Sequence, residues 1–392
     1  MGQGAAAIPQ IPNSLLPRRS TIIFLGLLVI GVVCASKDET PPPTTSIATR
    51  GAASRICLSN QSSALLQFKQ SLVNIGPRWL SSWQHNGSDC CHWEGVTCNN
   101  LTGFVIALEI HDLFLPDIYY PSLFYPKGIA IDSSLFKLRY LQRLDLSYNL
   151  LNGAIPKRLV ELTHLTHLNL SHCGFSGQIP VELSQMTRLV SLDLSYNDGL
   201  LLQHPNFSQL FRGLVHLEHL RLDRVDVSMS LRDVSMSLSS SHDLQTFSLS
   251  GCNISGPMDE SLLHFQSISY LDLGSNKLES SIVEGLCSLG DITSLRLRAS
   301  FMTGAIPPCL FSLPCLKELD LGGNHLNSGI PNLQLSQIDS SLTELDLSGN
   351  RLTGSIPSSL FNLSFLATLD LSHNLLTENI PSSHFNLPFL KK

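Results

Sequence analysis

From residue 141 onward the chain repeats itself every 24 residues, and this period limits the fold more than any other feature of its 392 residues. "LQRLDLSYNLLNGAIPKRLVELTH" fills 141–164 and "LTHLNLSHCGFSGQIPVELSQMTR" fills 165–188. Later copies begin at Leu189, Leu217, Leu244, Ile268, Ile292, Leu316, Leu342 and Leu366, and an irregular earlier copy begins at Val105. They share the template L-x-x-L-x-L-x-x-N/C-x-L-x-G-x-I-P-x-x-L-x-x-L-x-x and number about eleven, over residues 105–389. One such unit cannot bury its own leucines, whereas stacked coils share a continuous core.

The template dictates the coil. In "LQRLDLS", Leu144 and Leu146 alternate with Arg143, Asp145 and Ser147, so one side of a short strand is buried and the other is wet. Asn149 falls where the chain turns inward, and its amide can bond the open backbone groups of neighbouring coils. Cys173 and Cys252 take that slot in two copies and are expected as buried, reduced thiols. Ile155-Pro156 sets an extended bend before the outer segment. The period therefore predicts an α/β leucine-rich-repeat solenoid: a curved right-handed superhelix with a parallel sheet on the concave face and a 3-10 or irregular convex face. At about 4.8 Å per paired strand, the sheet runs about 50 Å along its arc. The copy from Leu189 has 28 residues with "LLQHPNF" inserted, and the next contains the tandem "DVSMSLR", "DVSMSLS". Such insertions are expected to be extruded as loops.

Composition excludes several functions. With 25 Lys+Arg against 31 Asp+Glu, the chain has no basic surface for nucleic acid. "DLG" at Asp272–Gly274 and Asp320–Gly322 imitates a kinase magnesium motif, but no phosphate loop or catalytic loop accompanies it. "HWE" at 92–94 lacks the P-C-x-x-C of zinc deaminases. His164, His167 and His172 fall on different faces of one coil. No catalytic residue, metal ligand or cofactor is expected.

At the N-terminus, Arg18 and Arg19 precede the apolar run "TIIFLGLLVIGVVCAS", which ends in the small-residue site Val33-Cys34-Ala35. Residues 1–35 read as a secretory signal peptide, with an uncleaved membrane anchor as the alternative, which needs nearer to about twenty apolar residues, followed by a flexible linker over 36–56. Export implies an oxidising compartment, and the Asn-x-Ser/Thr sites at Asn60, Asn86, Asn100, Asn169, Asn206, Asn253 and Asn362 become candidate glycosylation sites. "DCCHWEGVTCN" over 89–99 is compatible with a metal site or with a disulfide staple. "SALLQFKQSL" places Ala64, Leu65, Phe68 and Leu72 on one helical face, suited to cover the first coil, with Trp83 and Trp93 adding bulk. Cys287 and Cys309 stand at nearly equivalent outer positions of adjacent coils, as a disulfide or as free thiols.

The "LxGxIP" half of the repeat, together with "CLSNQSSALLQFKQSL…WLSSWQHNGSDCCHWEGVTC", resembles plant extracellular leucine-rich-repeat proteins, and among them most of all the receptor-like proteins. The resemblance covers residues 57–392: an N-terminal cap over 57–104, then repeats over 105–392 with the last incomplete. It implies disulfides Cys57–Cys90 and Cys91–Cys98. It also implies a glycoprotein ectodomain at the plasma membrane or in the apoplast, recognising a peptide or protein ligand in defence or developmental signalling through a co-receptor kinase. The alternative is a secreted inhibitor of pathogen wall-degrading enzymes, like polygalacturonase-inhibiting proteins. The chain stops at "LKK" without a C-terminal cap or span, so a longer natural protein is expected, with any membrane contact made through that missing span. On the concave face the outward positions that could bind a ligand are Arg143, His167, His219, Arg221, Arg296 and Arg298. Arg296 and Arg298 are expected to form a positive spot that grips a peptide carboxylate.

Overall fold

The leucine template turns each coil into the same short strand. The computed structural model describes residues 56–72, 80–85, 88–111, 113, 129–149, 151–203, 206–333, 340–377, 387 and 389; the signal-peptide segment and Asn86 lie outside them. The strands are β1 (Val96–Cys98), β2 (Val105–Glu109), β3 (Arg143–Asp145), β4 (His167–Asn169), β5 (Ser191–Asp193), β6 (His219–Arg221), β7 (Thr246–Ser248), β8 (Tyr270–Asp272), β9 (Ser294–Arg296), β10 (Glu318–Asp320), β11 (Glu344–Asp346) and β12 (Thr368–Asp370). They form one sheet in chain order, β1 antiparallel to β2 and every later pair parallel. The central residue of one strand faces that of the next: Leu144 lies opposite Leu168, and Leu168 opposite Leu192. All three are buried, while Arg143 is exposed and Asp145 half-buried. The alternation expected of a leucine-rich-repeat solenoid is thus present.

The inward turn is held by the asparagine slot. Asn197 Nδ2 donates to Leu194 O and to Leu170 O of the preceding coil, both at 2.9 Å, and its Oδ1 accepts from Phe175 N at 3.1 Å. Asn276, Asn324 and Asn350 do the same in later coils. Where cysteine fills the slot, Cys252 Sγ donates to Leu222 O at 3.0 Å and Cys173 Sγ to Leu146 O at 3.3 Å. Both thiols are free, Cys252 buried and Cys173 only partly so. Burial pushes the Cys173 thiol up to about 12 and raises that of Cys252 as well. Further round the coil, Pro156 (φ −67°, ψ 127°) and Pro180 (φ −65°, ψ 123°) hold extended backbone before the 3-10 turns Lys157–Glu161 and Val181–Gln185.

The two irregular coils differ from expectation, because described residues of their insertions form packed helices and not extruded loops. They form α2 (Asn206–Phe211) and α3 (Leu231–Ser237) on the outer side, in place of 3-10 turns. Phe207, Leu210 and Phe211, then Leu231, Val234 and Leu238, recur at helical spacing and are completely buried. That apolar stripe draws each insertion into the core.

The first coil is covered by the cap helix α1 (Ser59–Leu72), which buries Ala64, Leu65, Phe68 and Leu72. Gln61 Oε1 accepts from Val105 N at 2.7 Å and so ties the helix to β2. Trp83 and Trp93 stack beneath it with ring centroids 5.6 Å apart. Cys57 is bonded to Cys90 and Cys91 to Cys98, which resolves the cysteine cluster as a staple. His92 beside it is 83% exposed. A third disulfide, Cys287–Cys309, joins two adjacent coils on the outer side. No helix among the described residues is long and apolar enough to cross a membrane.

Candidate functional site

The sheet presents two outward residues per strand, aligned coil by coil. In the first column Arg143, His167, Ser191, His219 and Thr246 follow one another; in the second, Asp145, Asn169, Asp193, Arg221 and Ser248. All six candidate ligand-binding residues therefore lie on one face, but their surroundings differ. Arg143 pairs with Glu109 at 3.0 Å. His167 Nδ1 lies 2.9 Å from Thr166 Oγ1, and His219 Nδ1 lies 3.0 Å from Thr246 Oγ1.

The positive spot expected at Arg296 and Arg298 is neutralised within the sheet. Arg296 Nη2 donates to Glu318 Oε2 at 2.9 Å. Arg298 bridges Asp346 at 2.5 Å and Asp320 at 3.7 Å. Burial works against the Arg296 charge, yet Glu318, Tyr270 and Asp272 outweigh it and hold the guanidinium above its ordinary range. The expectation did not take in the acids that strands one and two coils further on bring within reach. These carboxylates occupy the arginines before any ligand arrives.

Arg221 is different. Its guanidinium carbon stands 4.9 Å from the centroid of Tyr270, and Arg296 approaches the same ring at 5.4 Å. Between them, β7 carries only Thr246 and Ser248 on this side, both buried and small enough for Arg221 to reach across to β8. Among the described residues Arg221 has no carboxylate within ion-pair distance. The neighbouring Asp223 is committed to the sheet, accepting from Ser248 Oγ and Ser250 N, both at 2.7 Å. Asp193, Asp272 and Asp320 on the same face are raised above the ordinary carboxylate range, chiefly by burial.

A second feature runs along the rim, three residues after each strand. Tyr148, His172, Tyr196 and Arg224 occupy this position in four successive coils, all in the left-handed region, with φ of 53°, 51°, 57° and 64°. Tyr148 stacks on His172 at 4.0 Å and 9°, and His172 on Tyr196 at 4.2 Å and 14°. Arg224 closes the row 5.5 Å from the Tyr196 centroid. The next coils use Gly251, Ser275, Ala299, Gly323 and Gly349. Nothing in the leucine template calls for the row, but the equal 24-residue spacing of Tyr148, His172 and Tyr196 already places them in one column. Burial, and then Arg224, hold His172 below the usual imidazole range against the pull of Asp223.

The sequons are scattered. Asn60, Asn100, Asn253 and Asn362 are exposed and Asn206 is half-buried. Asn169 lies on the concave face itself, where Nδ2 donates to Asp145 Oδ2 at 3.1 Å and Oδ1 accepts from Ser171 N at 3.0 Å.

Residues 58–99 match the leucine rich repeat N-terminal domain, and residues 129–175, 243–265, 315–336, 341–363 and 365–387 match leucine rich repeats. The chain is similar to Receptor-like protein Cf-9 of Solanum pimpinellifolium, with 35% identity over 240 residues, 56% of this chain and 26% of that protein. It is similar to Receptor-like protein 12 of Arabidopsis thaliana, with 34% identity over 140 residues, 34% of this chain and 13% of that protein. It therefore spans about a quarter or less of the length of these relatives. Among solved structures it resembles the Arabidopsis receptor kinase HAESA in complex with the peptide hormone IDA and the co-receptor SERK1. That likeness has a TM-score of 0.66 and 26% identity, and covers 81% of this chain and 54% of that one.

Proposed function

We propose that this chain, a plant extracellular leucine-rich-repeat receptor-like protein, binds an acidic peptide on its concave face with Arg221 as the carboxylate anchor. Its repeats and relatives are those of a ligand-binding protein and not of an enzyme. The observation that carries the reading is the position of Arg221: its guanidinium carbon lies over the Tyr270 ring, 4.9 Å from the centroid, and among the described residues no carboxylate stands within ion-pair distance of it, although Asp193 faces it in register. A guanidinium fixed in this way pairs with a carboxylate at little entropic cost, since the ring has already ordered it. His219, one position before the leucine of the same strand, adds a second polar group beside the anchor. Arg143 and His167 extend the surface toward the cap, while Arg296 and Arg298 shape it with their paired acids.

The peptide hormone and co-receptor in the HAESA complex support the same use of this scaffold here. A co-receptor kinase would then be the signalling partner, at the outer face of the plasma membrane or in the apoplast, in defence or development. Glycans at the exposed sequons would leave the floor open, whereas one on Asn169 would cover β4. The reading is tested by titrating the secreted chain with a short Glu-Gly repeat peptide and with its Lys-Gly counterpart. Preference for the acidic peptide by about tenfold or more supports it, and equal affinity overturns it.

A further inference from the structure

Arg221 lies between an acid and a ring. On one side Asp193 of β5 stands in register with it, both half-buried. On the other side Arg221 reaches past β7 to Tyr270, 4.9 Å from the ring centroid. Other arginines of this face take the acid. Arg143 pairs with Glu109 of the adjacent strand at 3.0 Å, Arg296 with Glu318 of the adjacent strand at 2.9 Å, and Arg298 with Asp346 two strands on. Arg221 has an acid directly in register on the adjacent strand, yet its guanidinium lies over the ring instead.

Neither partner locks the arginine. Asp193 is engaged with the sheet, its Oδ1 accepting from Ser195 N at 2.9 Å. Burial holds its carboxyl above the ordinary range, which weakens its pull on a guanidinium. Tyr270 also receives Arg296, 5.4 Å from its centroid, so two cations share one ring. A half-exposed ion pair and a half-exposed cation–π contact are of similar, small strength. An arginine side chain spans the about 4.8 Å between adjacent strands without a change of backbone.

We propose that Asp193 is the positioning residue of the anchor: Arg221 moves between an open site over Tyr270, where it takes a ligand carboxylate, and a closed site against Asp193, where it does not. The inference rests on the acidic-peptide reading and supplies its regulation. Asp193 is an internal competitor of the ligand's own chemistry, so only a carboxylate that other contacts hold in place displaces it. Among the described residues, Arg221 favours the charge of Asp193 and Asp223 opposes it, while Ser195 donates to it and Asn169 of β4 stands in register beside it. As pH falls, Asp193 gives up its charge earlier than an ordinary aspartate, and the closed site loses its hold.

The test titrates the Glu-Gly repeat peptide calorimetrically into the full secreted chain at pH about 7.5. Asp193→Ser removes the competitor; Ser248 already holds the same column in β7, whereas an asparagine would make a new sequon with Ser195. This variant should bind about fivefold more tightly than the wild-type chain, and Asp193→Glu, which keeps the charge, no more tightly. Tyr270→Leu should weaken binding about fivefold in the wild-type background but less than about twofold beside Asp193→Ser, where no competitor awaits the released guanidinium. Equal losses in the two backgrounds, wild-type affinity in Asp193→Ser, or an equal gain in Asp193→Glu overturns the switch. The affinity ratio of Asp193→Ser to wild type should also shrink toward one as pH falls to about 4, with His167 and His219 cancelling because both chains carry them. A constant ratio overturns the switch as well. Arg221→Glu tells the two proposals apart: if it abolishes acidic-peptide binding while the Asp193 and Tyr270 effects simply add, the anchor stands and the switch falls.

Discussion

Arg221 and Tyr270 sit two strands apart, and the guanidinium of the first lies 4.9 Å from the ring of the second, across the small side chains of β7. The ring also receives Arg296, so one phenol spaces two cations whose circumstances differ: Arg296 is paired with Glu318, whereas among the described residues Arg221 has Asp193 opposite it in register but no carboxylate within ion-pair distance. Tyr270→Leu should release Arg221 into solvent. Calorimetric titration is expected to show about fivefold weaker binding of the acidic peptide, for the loss of one cation–π contact, with a stability loss of about 1 kcal/mol. Affinity that survives the loss of the ring would mean the arginine needs no support.

Charge reversal of Arg296 should act on the fold before it acts on the ligand. Arg296→Glu would place a third acid beside Glu318 and Asp272, replacing an ion pair with repulsion. A half-exposed pair is worth at most about 1 kcal/mol, so a fall in melting temperature of a few degrees is expected. An unchanged melting temperature would contradict the pairing.

The asparagine slot carries more. Asn276→Ala would strip partners from Leu249 O, Leu273 O, Cys252 N and Ile254 N, all inside the stack. Leaving such groups unbonded should cost about 2–4 kcal/mol in urea unfolding, against less than about 0.5 kcal/mol for Asn362→Ala on the surface. Similar costs at the two sites would refute the assignment.

Buried acids give the face a pH dependence with a definite sign. Asp193, Asp272 and Asp320 hold their protons more tightly folded than unfolded. Their contribution is fully present below the ordinary value of 3.8 and is lost as pH rises through the higher folded values. Relative to the triple Asp→Asn variant, the wild-type chain should therefore gain stability as pH falls into the acidic range. A parallel pH profile for the two proteins would contradict this.

Outside the face, Cys287–Cys309 closes a segment of 22 residues between adjacent coils. Its removal by paired Cys→Ser substitution should cost about 3 kcal/mol. Peptide mapping without reduction should recover the two cysteines linked, and finding both alkylated would rule the bridge out.

Much of this architecture was legible in the residues, and the limits of that reading are physical. Leu144 and Leu146 revealed the strand because burial repeats along the chain, and Asn149 revealed the turn because its slot recurs every 24 residues. Phe207 and Leu231 broke the expectation of extruded loops, since their helical spacing was hidden inside an insertion that changed the period. The candidate site was harder to read. Whether an arginine is free depends on which acid it can reach one or two coils away, as Arg296 reaches Glu318 and Arg298 reaches Asp346. The template shows which residues point outward but not whom they meet. The rim row escaped notice for the same reason, because stacking joins Tyr148, His172 and Tyr196 only after three coils are aligned.

The most direct test is a charge swap at Arg221, with the Glu-Gly and Lys-Gly repeat peptides titrated calorimetrically into the wild-type chain and into Arg221→Glu. The expected outcome is loss of the acidic peptide by about tenfold or more, measurable gain of the basic one, and a fall in melting temperature of no more than a few degrees, with Arg158→Glu on the outer 3-10 turn as a control that leaves both affinities within about twofold. If Arg221→Glu binds the acidic peptide as tightly as the wild-type chain, Arg221 is not the anchor and the proposed mode of recognition is wrong.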